Sequence, residues 1–490
     1  MSRADLQALL PLVAVAATIV AVLLAIAIRR NHRGVFWISV AGLAVALARV
    51  ALASLQAPRD IQGLLVADGL SLLYTGLILG AGLVLVLLSY GYLRTRPTPP
   101  EEYYPLLLLC ILGAVVLAWA SHFVTFFLGL ELLSVGLFVL IAYPRTRPQS
   151  LEASLKYLIL AGVSSSFVLF GLALIYYERG TMRLAELTLG GPFSALAWVG
   201  LAMVTVGLGF KLALVPFHLW TPDVFQGSPL PVAALIATVS KGSVFALLLR
   251  GLQPVLPSGA PVLVLTVLAV ASMFVGNLLA LLQNNVKRLL GYSSIAHVGY
   301  LLVAFLAGGG SGAAAVSFYL LAYFLTNLAA FGVLSVLPAV EEGGDVENLA
   351  DLRGLAHRRP LLAGILVVAF LSLAGIPLTA GFIGKFYLLA AGIQARLWVL
   401  TGSLVASSVI GLYYYLRVIL AFFLPVEEGP KERVPVLAVA ASPAASGAAP
   451  AFVAKAPARN LLLALVTAAL LGVGMFPGPV IRWITGLLVR

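Results

Sequence analysis

The chain has 490 residues, of which 62% are hydrophobic and only 10% charged. A soluble domain carries about 25% charged residues, so this is a polytopic membrane protein with no soluble domain of useful size. The net charge of +12 is scattered through short connections, with no basic stripe or aromatic-basic module, which favours a topological origin over nucleic-acid binding, and the single cysteine, Cys110, excludes an internal disulfide, a CxxC zinc site, a cysteine-ligated iron-sulfur cluster and covalent c-type haem.

Charge-poor runs of roughly 20 residues recur along the whole length and predict an all-α fold of about fourteen transmembrane helices. They start near Leu6, Val35, Asp68, Tyr104, His122, Leu151, Phe193, Leu230, Pro261, Tyr292, Ala313, Leu361, Leu397 and Asn460. The first, Leu6 to Ile28, is too long for a signal h-region and no small-residue cleavage site follows, so it is expected to stay in the mature chain. Connections after odd-numbered helices carry most of the positive charge, from Arg29, Arg30 and Arg33 through Arg353, Arg358 and Arg359 to Lys431, Arg433, Lys455 and Arg459. The positive-inside rule therefore puts those connections in the cytoplasm and both termini outside. The connection Glu341 to Arg359 reads as a solvated loop, and Pro425 to Arg459, rich in Ala and Pro, as a flexible linker.

Helices seven and twelve carry breakers where a helix should be continuous. In the seventh, Lys211 precedes Pro216, Phe217, His218 and Trp220; in the twelfth, Gly375, Pro377, Gly381 and Gly384 precede Lys385. Proline frees a carbonyl, which is tolerated at membrane depth only where protein or water meets it. Helices five apart cross the membrane in opposite directions, as the discontinuous helices of an inverted repeat do. The expected organisation is residues 1–103 for helices 1–3, 104–250 for a first five-helix repeat, 251–424 for an inverted second, 425–459 for the linker and 460–490 for helix 14.

Seven lysines occur in the chain, and four of them, Lys156, Lys211, Lys241 and Lys385, fall inside apolar runs; Lys287, Lys431 and Lys455 fall in connections. Elsewhere the chain uses arginine for surface charge. A desolvated lysine can lose its proton whereas arginine stays charged, so lysines kept in apolar surroundings point to proton chemistry. Lys241, among Thr238, Ser240, Gly242 and Ser243, has room for water, although a structural pairing with a carboxylate is the competing reading. Glu131, alone in the run His122 to Ile141, must find a cation in space or hold its proton; Lys211 and Lys156 are the candidates. Lys156 lies near a helix end and could instead snorkel to the interface. His297, between Ser294 and Tyr300, is either a relay or a satisfied structural histidine. Arg49 and Arg417 default to structural pairing or snorkelling, His122 to a structural role, and no metal, haem or nucleotide site can be built.

Three stretches carry a resemblance: Gly209-Phe-Lys211 through Pro216-Phe-His218, Trp220, Pro222-Asp223, Gly227-Ser-Pro229, Pro231-Val and Lys241; Asn285-Val-Lys287-Arg288 through Tyr292-Ser-Ser294-Ile-Ala-His297; and Gly375-Ile-Pro377 through Gly384-Lys385. With them the chain resembles, over nearly its whole length, the antiporter-like proton-pumping subunits of respiratory complex I. Lysine rather than glutamate at 385, and an end at residue 490 without a long lateral helix, make it most similar to the N branch of that family; the Pro425 to Arg459 linker departs from a compact member of that branch. The resemblance implies a non-redox subunit of a proton-translocating NADH-quinone oxidoreductase in a bacterial inner membrane. Glu131 and Lys211 would form the pair that drives transfer, Lys241 the central relay and Lys385 the group near the outward exit, with Lys156 and His297 as further proton-transfer candidates. It implies no cofactor in this chain, with NADH, FMN, iron-sulfur clusters and quinone in partner subunits; the partners are other membrane subunits and the lipid bilayer, not nucleic acid. Two other classes stay open, a subunit of a multisubunit cation/proton antiporter and a purely structural membrane scaffold.

Overall fold

The computed structural model describes residues 2–187, 189, 193–256, 260–337, 344–425 and 457–489. The expected linker lies almost wholly outside the described residues, as do Lys431 and Lys455.

The chain opens with a helical hairpin, α1 (Arg3–Ile28) and α2 (His32–Ala53). Each is started by a side-chain cap: Ser2 and Asp5 form a capping box, and Asn31 accepts from the backbone of Arg33. A short antiparallel pair, β1 (Arg59–Ile61) and β2 (Leu65–Ala67), then departs from the purely helical expectation. Its connection needs left-handed backbone at Gln62 and Gly63, with φ of 55° and 69°. Next come α3 (Gly69–Leu93), α4 (Tyr103–Trp119), α5 (Phe123–Ile141), α6 (Pro148–Arg179), α7 (Ala195–Leu212) and the short α8 (Trp220–Gly227). The span Leu230–Val255 contains α9 (Leu230–Leu235), a π turn at Ile236–Ser240, α10 (Lys241–Leu247) and a second π turn at Leu248–Leu252. After it run α11 (Ala260–Leu281), α12 (Val286–Ala307), α13 (Gly309–Val336), the single turn α14 (Leu355–Arg358), α15 (Pro360–Ala374), α16 (Ala380–Gln394), α17 (Trp398–Phe423), α18 (Pro457–Met475) and α19 (Pro477–Leu488).

Among the described residues twelve helical segments are long and apolar enough to cross a membrane, and α4 and α15 are shorter apolar helices. Burial separates centre from rim. The most apolar window of Leu230–Val255 is 100% buried, against 28% for α1, α2 and α18, so the lysine-bearing span is the axis of the bundle. Close backbone packing tightens the shell around it: a Cβ on Gly113 of α4 would sit 2.6 Å from the Leu133 nitrogen of α5, so only glycine allows that approach.

Both expected breaks are present. At the first, α7 ends on Ala213 with φ 63°, and helix resumes only at Trp220, whose Nε1 donates to the freed Phe210 carbonyl at 3.0 Å. At the second, α15 ends on Gly375 with φ 81°, and Thr379 caps the resumed α16. Helix 14 of the sequence reading proves to be two elements, because the chain turns at Phe476-Pro477 and α19 starts afresh with proline in its first turn. Two further expectations are corrected. Lys287 is not in a connection: Asn285 caps the helix early, so Lys287 lies in the first turn of α12, fully buried. The Glu341 to Arg359 connection is not simply solvated, since Asp345, Val346, Leu352 and Leu355 are buried; residues 341–343 lie outside the described residues.

Candidate functional site

Three of the four lysines expected inside helices are buried, and each stands at an irregularity in its helix. Lys211 is in the last turn of α7, Lys241 directly follows the first π turn, and Lys385 lies beyond the second break. π turns and broken helices leave backbone carbonyls outside the regular ladder, where polar side chains can use them.

The Lys211 Nζ donates to Ser134 Oγ of α5 at 2.6 Å and faces the rings of Tyr157 and Phe210 at 5.4 and 5.6 Å. Glu131 precedes Ser134 by three residues, so both sit on one face of α5. Its carboxylate accepts from Ser165 of α6. Acid and amine therefore share a site through Ser134 without forming a direct ion pair among the described residues.

The Lys241 ammonium donates to the hydroxyl and, at 3.2 Å, to the carbonyl of Ser294 on α12. Ser294 Oγ also accepts from the Tyr323 hydroxyl of α13 at 2.8 Å. One turn further along α12, His297 has both ring nitrogens engaged, Nε2 with Tyr415 at 3.0 Å and Nδ1 with Tyr319 at 2.6 Å. Tyr415 also bonds Ser293. Asn277 joins this layer by donating to Tyr300 at 2.7 Å and accepting from Tyr414 at 2.9 Å. Lys385 lies 5.1 Å from the centre of the Tyr300 ring and donates to the freed Ala374 carbonyl at 3.0 Å. Lys241 and Lys385 thus have dipoles and a π face for company, and no carboxylate within ion-pair reach among the described residues. An amine held in that way can gain or lose a proton without breaking a salt bridge.

Lys156 sits elsewhere. Its ammonium is 2.7 Å from both Glu152 and Asp223, and its side chain is 43% exposed. Asp223 also pairs with Arg288 at 2.7 Å. Burial pushes the Asp223 carboxyl upward, but the bonds from Lys156 and Arg288 outweigh it and hold it below the usual carboxylate range. Of the two candidate cations for Glu131, then, Lys211 is near and Lys156 is not: Ser165, the residue that meets Glu131, is nine residues from Lys156 along α6, about 13 Å of helix rise.

Sequence reasoning missed the tyrosines. Tyr319 and Tyr323 are four apart on α13, and Tyr414 and Tyr415 lie on α17, all inside apolar runs where an aromatic reads as packing. Their signal was weak: a hydroxyl that needs a partner when buried. It also missed a second buried ionic group. Lys287 Nζ pairs with Asp345 at 2.8 Å and donates to the Ser228 carbonyl at 2.6 Å, while Asp345 takes Arg96 at 2.6 Å and the Tyr92 hydroxyl at 2.8 Å. Burial again pushes the Asp345 carboxyl up, and the charges of Lys287 and Arg96 outweigh it and hold it low. Arg417 spans from α17 to the Leu281 and Gln283 carbonyls at the end of α11, a structural cap. His122 caps α5 through Nδ1. No cluster of three or more His, Cys, Asp or Glu suited to a metal occurs among the described residues.

Residues 120–411 match the family described as NADH:quinone oxidoreductase/Mrp antiporter, TM. The NADH-quinone oxidoreductase subunit N of Ectopseudomonas mendocina (strain ymp) is 50% identical over 428 residues, which covers 86% of this chain and 87% of that one. A chain in the structure of respiratory complex I from Thermus thermophilus with bound Aureothin is 36% identical, with 96% of this chain and 98% of that one covered and a TM-score of 0.80. A chain of the Mrp complex from Dietzia sp. DQ12-45-1b superposes with a TM-score of 0.82 over 99% of this chain and 97% of its own, but at 21% identity it shows the common fold alone. By the family match and by identity over most of its length, the chain belongs to the NADH:quinone oxidoreductase/Mrp antiporter membrane family, in the line of NADH-quinone oxidoreductase subunit N.

Proposed function

We propose that this chain is a membrane-arm subunit of a proton-translocating NADH-quinone oxidoreductase, and that it carries protons itself while the redox chemistry takes place in partner subunits. The observation that carries this reading is the buried line of Lys211, Lys241 and Lys385, each at a helix irregularity, with His297 and the tyrosine hydroxyls between the last two. NADH, FMN, iron-sulfur clusters and quinone belong to those partners. The chain sits in a bacterial inner membrane with both termini outside, and helices 4–8 and 9–13 form the two inverted repeats.

Positive charge at Lys211 is stabilised by a carboxylate at Glu131. If α5 and α7 shift so that the two move apart, the ammonium loses that support and passes its proton on; if they approach, it reloads. Lys241 receives the proton and exchanges it with the hydroxyls of Ser294 and Tyr323. His297, with a hydroxyl on each ring nitrogen, can accept on one side and donate on the other, which requires only a change of tautomer or a transient imidazolium. Lys385 is the group nearest the outward exit. Lys156, in its exposed cluster with Glu152 and Asp223, fits a role at the entry side or a purely structural one. The antiporter reading rests on the shared fold, and the higher identity to the quinone-linked proteins favours the oxidoreductase.

The coupling of Glu131 to Lys211 is the direct test of function. In vesicles containing the assembled complex, with proton uptake measured per NADH oxidised, Glu131→Gln and Lys211→Met each lower the ratio. The double variant loses less than the two single losses added together, because the second change removes a cation that the first left unsupported. Strictly additive losses contradict the pairing.

A further inference from the structure

The proton path leaves unexplained a pair of arginines on the opposite flank of α3. The stripe Gly76, Gly80, Leu83, Leu87, Tyr90 and Arg94 follows helical spacing and is the part of α3 that the bundle leaves partly exposed. Beside Gly76 and Gly80 there is open space, with no atom within 4 Å of where a Cβ would stand. At the Arg94 end this groove has two walls. On one side His32 and Phe36 of α2 pack on the Tyr90 ring, with centroids 4.6 and 4.5 Å away. On the other, Arg459 of α18 lies against Gly91, where a Cβ would meet its Nη1 at 2.6 Å, and Leu463, one turn further on, touches the same Gly332 surface as Leu88.

Arg459 and Arg94 are close enough for their charges to repel, and neither makes an ion pair or hydrogen bond among the described residues. Arg94 only approaches the Tyr90 ring, at 5.8 Å. Of the nearby acids, Glu102 is taken by Arg30 at 2.7 Å, and Glu101 makes no ion pair with either arginine. Two guanidiniums without an ion pair among the described residues, beside a tyrosine and above a partly exposed apolar stripe, call for an anion with an apolar tail.

We propose that Arg94 and Arg459 hold the phosphate of an anionic phospholipid whose acyl chain lies along Tyr90, Leu87 and Leu83. The lengths agree. One leaflet of hydrocarbon is about 15 Å deep, and ten residues of helix rise about 15 Å, which carries a chain from Arg94 to the level of Val84. A neighbouring membrane helix could also use a glycine-lined face, but it would need its own acid at the right depth, whereas a phospholipid brings charge and tail together.

The test uses the whole complex, exchanged into nanodiscs of phosphatidylethanolamine and phosphatidylglycerol and re-extracted, with retained phosphatidylglycerol counted by native mass spectrometry. The wild type is expected to keep at least one phosphatidylglycerol that the Arg94→Gln/Arg459→Gln double variant loses. Arg94→Lys/Arg459→Lys is expected to restore most of the retention. Equal retention by the wild type and the Gln double variant overturns the proposal. In case the arginine variants do not assemble, a photoreactive benzoylphenylalanine in place of Leu87 gives an independent reading. An adduct of phospholipid mass supports the site, and an adduct to a neighbouring subunit, or no lipid adduct, overturns it.

Discussion

At the scale of single residues, the preference for arginine over lysine at the surface made the buried lysines visible. Lys211, Lys241 and Lys385 are buried as that preference suggests, whereas Lys156, with a 43% exposed side chain, sits in an ionic cluster with Glu152 and Asp223. Lys287 obeys the same logic, although hydropathy places the start of its helix near Tyr292, because the cap at Asn285 starts it at Val286. What sequence could not supply was partnership in space: Asp345 lies 58 residues from Lys287, and Tyr415 lies 118 from His297. The buried Asp345 carries a prediction. Asp345→Asn leaves Lys287 and Arg96 without their carboxylate and should destabilise the assembled protein by about 3–5 kcal/mol. Adding Lys287→Met should recover part of that loss. Because the carboxyl is held below its ordinary value of 3.8, its contribution is present above that pH and is lost as pH falls through the lower folded value. Thermal unfolding of the purified complex checks both effects, and an Asn variant as stable as wild type would remove the ion group from the account.

Among the elements, the two broken helices were legible because proline and glycine cannot be hidden in an apolar run. The π turn before Lys241 was not, since Ile236 to Ser240 contains no breaker and only the backbone geometry reveals it. The β1–β2 pair was likewise too short for alternation to register. Gly375 now has two functions that can be separated from packing. Its φ of 81° is strained for any residue with a side chain, and a Cβ there would lie 2.9 Å from Lys385 Cδ. Gly375→Ala should therefore cost about 1 kcal/mol or somewhat more through the backbone and push the lysine side chain off the Ala374 carbonyl. The expected outcome is a complex that assembles and oxidises NADH yet pumps fewer protons per NADH. Unchanged pumping would mean that the position of Lys385 is not critical.

For the whole molecule, the helical membrane fold is legible in hydropathy, because lipid admits few alternatives. Hydropathy could not separate α18 from α19, since both are apolar and the turn at Phe476-Pro477 reads as a kink. The 12 residues of α19 rise about 18 Å, too little by themselves to cross a core of about 30 Å. Reporters fused between Arg29 and Gly34 and between Gly354 and Arg359 should report cytoplasm, and fusions at both termini the outside. A cytoplasmic C-terminus would contradict the expected topology of fourteen spans with both termini outside.

The central claim is that Lys241, at the axis of the bundle, must give up its proton in each cycle rather than serve as a fixed cation. Lys241→Arg keeps the charge, but a guanidinium does not release its proton. The decisive measurement is the number of protons moved per NADH oxidised by the assembled Lys241→Arg complex in sealed vesicles. A marked fall in that ratio with assembly intact is the predicted result; a ratio equal to that of the wild type would show that position 241 needs only a positive charge, and would contradict the account.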